Sequence, residues 1–144
     1  MVRALSYESI HATAVAIGGR TILLSGPSGA GKSDLGLRLI DRGARLVSDD
    51  YTLLRRQGSA LLASPPTTIA GHMEVRGVGL MTMGYDSDVP VALIVELTDV
   101  VERLPADPER RVIAGVAIPV VRLSPLEPSA PIKVEMALQR FGVA

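Results

Sequence analysis

An α/β fold, with a P-loop-containing mixed β-sheet and flanking helices, is predicted by three observations. Extended apolar runs are numerous, only two segments carry helical spacing, and a glycine-rich loop joins a strand to the first of those helices. A doubly wound sheet needs a helix for each crossover, and the pattern offers too few.

Along the chain, Ser9–Ile17 is β-branched and apolar, and Gly18-Gly19 follows as a turn. Arg20–Ser25 reads as the next strand, running into the loop Gly26–Ser33. Asp34–Arg42 has Leu35 and Leu39 at i, i+4 with Leu37 and Ile40 beside them, a helix pattern ended by Gly43. Arg45–Ser48 is a short strand leading into Asp49-Asp50. Tyr51–Arg56 and Ala60–Ala63 flank Gln57-Gly58-Ser59 as a hairpin, which Pro65-Pro66 breaks. Gly71–Leu80 interleaves glycines with Glu74 and Arg76. Val89–Leu97 reads as a central buried strand, Ala106–Arg111 as a polar loop, and Ala117–Leu123 as a further strand. Pro125–Pro131 is irregular, and Ile132–Arg140 is a closing helix.

At 144 residues and 15.2 kDa the chain suits one domain spanning 1–144. Its 47% apolar content and mean hydropathy of +0.32 support a sizeable core. Fifteen basic and fifteen acidic residues give zero formal charge, which argues against binding nucleic acid through bulk positive charge. The absence of cysteine excludes thiolate metal sites, Fe–S clusters, disulfides and a catalytic thiol. Lysine occurs only at Lys32 and Lys133, and histidine only at His11 and His72, so chemistry needing either is confined to four positions. The opening MVRALSYESI has no apolar run fit for a signal peptide, and stretches such as Val91–Val95 fall far short of the ~20 residues of a membrane helix. The expectation is a soluble cytoplasmic protein with no membrane partner.

Gly26-Pro27-Ser28-Gly29-Ala30-Gly31-Lys32-Ser33 matches G-x-x-x-x-G-K-[ST] in full. Its glycines let backbone N–H groups surround phosphate oxygens, and the following helix adds its positive end. Lys32 is placed to reach β- and γ-phosphates, and the Ser33 hydroxyl to ligate Mg²⁺. A strand before the loop and an amphipathic helix after it supply the required context.

Asp49 and Asp50 stand at a strand end, where α/β sheets open onto their ligands. One carboxylate suits Mg²⁺ and the other suits accepting a hydroxyl proton, although a solvated turn uses the same residues. Glu74 and Arg76 would share one face of an extended segment, either as metal ligand and phosphate partner or as a surface ion pair. His11 lies in an apolar strand, where a lone histidine is commonly a satisfied core residue, and Arg103 is one of 13 arginines.

Taken together, these residues resemble the catalytic C-terminal domain of HPr kinase/phosphorylase, which acts on a regulatory serine of the phosphocarrier HPr. GPSGAGKS matches the family's Walker A loop. LVSDD (Leu46–Asp50) is similar to its L-V-A-D-D element, and EVRGVGL (Glu74–Leu80) to its signature E-[IV]-R-G-x-G-[IL]. ERLPADPE (Glu102–Glu109) resembles its E-R-L-G stretch. His11, twenty-one positions before Lys32, matches the family histidine in type and spacing. The resemblance implies a fold related to phosphoenolpyruvate carboxykinase and a hexamer. It implies ATP and Mg²⁺ as cofactors and HPr as partner. It implies His11, Lys32 and Arg103 in catalysis, Ser33 and Glu74 as metal ligands, Asp50 as proton acceptor and Asp49 as its support. In the reverse direction Asp50 would be the donor.

Three departures stand out. The family usually carries an N-terminal domain, so a short form with the catalytic domain alone is expected. The connection from Leu80 to Val91 is shorter than the family's. The family's P-V-R-P-G-R stretch, tied to dephosphorylation, falls near Leu123–Pro128, where both arginines are missing. Kinase chemistry is therefore better supported than phosphorolysis. A nucleotide-sensing module with little turnover and a kinase for a small hydroxyl metabolite are the rival expectations.

Overall fold

The computed structural model describes residues 7–144. The first six residues, part of the N-terminal stretch read for a targeting signal, lie outside them. Among the described residues, no helix is long and apolar enough to cross a membrane.

The strands are β1 (Tyr7–Ile10), β2 (Thr13–Ile17), β3 (Arg20–Ser25), β4 (Arg45–Ser48), β5 (Thr52–Gln57), β6 (Ala60–Ser64), β7 (His72–Val75), β8 (Gly79–Thr82), β9 (Val89–Leu97), β10 (Glu109–Ile113) and β11 (Val116–Leu123). The helices are α1 (Lys32–Asp41), after β3, and α2 (Ala130–Phe141), after β11. Nine strands form one mixed sheet, and β7 and β8 form a separate hairpin.

The sheet is organised by β9, an almost uninterrupted apolar run. It pairs in parallel with β3 along one edge, Leu23 opposite Ile94 and Ser25 opposite Glu96. The other edge is shared: β6 takes its start at Val89 and Pro90, and β11 takes its end from Ile94 to Leu97. The sheet therefore forks there, with β10 hanging from β11 and β5 and β1 from β6. Alternating side chains bury both faces. Val15, Ile22, Leu24, Leu93 and Val95 meet α1 and α2, while Ala14, Leu23, Ile94, Leu54 and Ile118 fill the opposite core.

The mixed sheet and both helices match the fold predicted from sequence. Four local expectations are corrected. Ser9–Ile17 is not one strand: it breaks at His11-Ala12, because β1 pairs with β5 while β2 pairs with β3 and β4. Tyr51 lies outside the β5–β6 hairpin, in the turn that separates β4 from β5. Arg110 and Arg111 belong to a strand and not a loop. Ala114 and Gly115, at φ 49° and 81°, make the tight turn that folds β10 onto β11. Finally, α2 starts at Ala130, inside the segment expected to be irregular; Pro131 is tolerated there because a first-turn N–H has no helical partner.

Helix α1 approaches β2 at Gly36. A methyl group there would stand 2.9 Å from the Thr13 methyl carbon, with Met73 and Val15 close behind. Gly36→Ala is thus expected to cost about 1–3 kcal/mol through overpacking, despite alanine's better helix propensity. Denaturant unfolding of the variant checks this; a gain in stability would show that the helix can back away freely.

Candidate active site

The glycine-rich loop Gly26–Ser33 follows directly from β3. Gly31, at φ 100°, turns the chain into α1 in a conformation that L side chains rarely adopt. Lys32 begins the helix two residues earlier than the apolar spacing suggested. Its ammonium donates to the carbonyls of Gly26 (2.8 Å) and Pro27 (3.0 Å), so the lysine straps its own loop.

The acidic pair splits in direction. Asp49 is buried, and its Oδ1 accepts from Ser33 Oγ at 2.7 Å and from Thr13 Oγ1 at 2.9 Å. Asp50 adopts φ 70° and turns to the surface, where its Oδ1 lies 2.8 Å from His11 Nε2. The Tyr51 amide donates to the Asp49 carbonyl at 2.8 Å, and the Ser48 hydroxyl donates to the Tyr51 carbonyl. This turn explains why adjacent carboxylates serve different neighbours. His11 sits at the β1–β2 break, half-exposed, with Tyr51 stacked on its ring at 5.1 Å. The core-histidine alternative for His11 is thereby removed.

Glu74 and Arg103 are not drawn into this cluster by any hydrogen bond or ion pair among the described residues. Glu74 is exposed on β7, while its neighbour Met73 is buried next to α1. Arg76 falls in the β7–β8 turn and not in an extended segment, so the expected surface pair with Glu74 does not form. Arg103 is exposed on the loop between β9 and β10. The donors that do converge, a serine hydroxyl and a carboxylate, are the hard oxygen type that Mg²⁺ prefers, so the Ser33–Asp49 pair fits that ion.

Beside the loop opens a cavity of about 680 Å³, lined in part by Gly26, Gly29, Glu96, Asp99, Arg111 and Leu126. Glu96, one residue before the end of β9, stands opposite Ser25 of the loop strand and forms an ion pair with Arg111 at 2.7 Å. Arg122 approaches Glu96 at 3.8 Å and Glu109 at 3.1 Å. Hydrogen bonds and charge from Arg122 hold the Glu109 carboxyl below the ordinary carboxylate range, and Glu109 raises Arg122 in return. Sequence reasoning missed Tyr51, Thr13, Glu96 and Arg111 as site residues. Two signals were present: a charged residue closing an apolar strand, and the Ala-Gly turn between two β-rich runs.

Comparison with known proteins identifies a family and a matching fold. The family model described as HPr Serine kinase C-terminal domain matches residues 3–141. An HPr kinase/phosphorylase from Pelodictyon phaeoclathratiforme is 36% identical over 131 residues, covering 81% of this chain and 40% of that protein. One from Streptococcus sanguinis is 35% identical over 128 residues, covering 80% and 41%. The chain spans about two-fifths of the length of these curated relatives. The solved Hpr(Ser) kinase/phosphatase from Coxiella burnetii superimposes with a TM-score of 0.79 at 26% identity, over 92% of this chain and 89% of that one.

Proposed function

The chain belongs to the HPr Serine kinase C-terminal domain family, and from that premise we propose that it is an ATP- and Mg²⁺-dependent protein-serine kinase acting on the phosphocarrier HPr. The observation that carries this reading is the division of the acidic pair. Asp49 is committed to the phosphate-loop serine, and Asp50 is presented at the surface beside His11, where a protein hydroxyl can reach it.

In this reading the loop amides and Lys32 bind the triphosphate, and Lys32 exchanges its loop carbonyls for phosphate oxygens. Ser33 and Asp49 would hold Mg²⁺, which when bound neutralises charge on the β- and γ-oxygens. Glu74, the second ligand implied by resemblance, stands on β7 outside that pair. Asp50 takes the proton of the serine hydroxyl as the serine oxygen bonds to the γ-phosphorus. The bond from that phosphorus to the bridging oxygen breaks, and its electron pair leaves with ADP. His11 orients the Asp50 carboxylate, with Tyr51 stacked on its ring. Arg103 supplies positive charge from its loop during transfer.

The forward direction is favoured. Segment 125–127 carries no arginine and instead receives one, since Arg38 of α1 donates to the carbonyls of Pro125 and Glu127. The exposed apolar side chains of Leu80 and Met81 on β8 support assembly into the oligomer, a hexamer by resemblance. We place the enzyme in the cytoplasm, with residues 1–144 acting as one catalytic unit.

Radiolabelled ATP incubated with this protein and purified HPr is expected to label a serine of HPr, with little release of that label on adding inorganic phosphate. Nucleotide binding without transfer would instead identify a sensing module. Transfer to a small hydroxyl compound in the absence of HPr would identify a metabolite kinase.

A further inference from the structure

A second cavity, of about 330 Å³, opens on the other side of Arg111 and is lined in part by Glu8, His11, Leu23, Ile94 and Ile113. Ser25 and Arg111 line both cavities. One cavity borders the phosphate loop and the other borders the histidine paired with Asp50, so Arg111 lines the space next to both groups that the kinase reading uses. The guanidinium is reachable, with its side chain 43% exposed. Its partner Glu96 is a carboxylate inside the loop's cavity, where a triphosphate would compete for the same cation. Glu96 does not depend on Arg111 alone, because Arg122 also approaches it.

We propose that Arg111 is a γ-phosphate ligand: it is held by Glu96 when the loop is empty and turns to the terminal phosphate when a nucleoside triphosphate binds. A planar guanidinium with several N–H donors suits this exchange of one oxyanion for another. Arg111 is distinct from Arg103, which lies on the β9–β10 loop, and from Lys32, which belongs to the phosphate loop itself. The exchange makes and breaks no covalent bond. Because β10 is a strand, the neighbouring Arg110 points to its opposite face and carries the same charge without the position.

The inference rests on the kinase reading above, and its test separates the two. Mg²⁺ complexes of ADP and of a non-hydrolysable ATP analogue are titrated calorimetrically into the full chain and its variants. Arg111→Gln is expected to weaken the triphosphate analogue by about tenfold to a hundredfold and ADP hardly at all, the scale of a lost charge-assisted contact. Arg110→Gln leaves the preference for triphosphate intact. Glu96→Gln releases the guanidinium and tightens the analogue, and this gain disappears in the Glu96→Gln/Arg111→Gln double variant. An Arg111→Gln protein that keeps its preference for triphosphate, or loses both nucleotides equally, overturns the inference and leaves the kinase reading standing. A Glu96→Gln gain that persists without Arg111 also overturns it. Failure of the unmodified protein to bind either nucleotide defeats both.

Discussion

Asp50→Asn is expected to lower phosphoryl transfer to HPr by about 10²–10⁴-fold, the range for removing a positioned proton acceptor. The substitution is unusually clean here. Asp50 adopts φ 70°, a conformation that asparagine tolerates better than most residues, so the turn between β4 and β5 survives. The amide also keeps a polar group within reach of His11 Nε2. What disappears is the capacity to take a proton. Nucleotide affinity should therefore hold while the rate of transfer falls. If transfer instead continues at the unmodified rate, Asp50 is not the acceptor, and Asp49 becomes the candidate, even though it already accepts two hydroxyl hydrogen bonds.

Lys32→Met is the second large effect. Methionine keeps much of the apolar stem of this buried residue and removes its ammonium. Loss of one preorganised positive donor at the developing charge predicts a fall of about 10²–10³-fold in transfer. Lys32 also contributes to the loop's own stability. The ammonium satisfies the Gly26 and Pro27 carbonyls, so its removal is expected to loosen the loop and cost about 1 kcal/mol of stability. Thermal unfolding read alongside the transfer assay separates the two effects. A variant that transfers normally would remove Lys32 from the chemistry, and one that melts normally would show that the strap contributes no stability.

The parts of this site that were legible in the sequence are those fixed locally. Loop amides, Lys32 and Ser33 lie within one eight-residue motif, and the strand before it and helix after it set their geometry. His11 was identified by type and spacing through the family resemblance, yet the apolar run around it pointed to a core strand. Its exposure comes from a partner exchange: β1 and β2 belong to different branches of the sheet, and hydrophobic periodicity carries no information about that. The division between Asp49 and Asp50 was hidden for a similar reason. Two adjacent carboxylates look alike until a positive φ sends one inward and the other outward. Arg111 was obscured by its company, because the run ADPERR reads as loop while the pairing of β10 with β11 makes its end a strand.

The shared edge of β9 also dictates an order of assembly. The loop strand β3 gets its first neighbour at once, since β2 precedes it by a two-residue turn. Its other neighbour arrives much later: the Thr21 hydroxyl donates to the Val89 carbonyl across 68 positions of chain. Until β9 has been synthesised and docked, the glycine-rich loop is braced on one side only. Pairings this distant carry a large loop-closure entropy and slow folding. During synthesis the loop motif leaves the ribosome ahead of β9, and it gains its second support only once the chain has been made through Leu97.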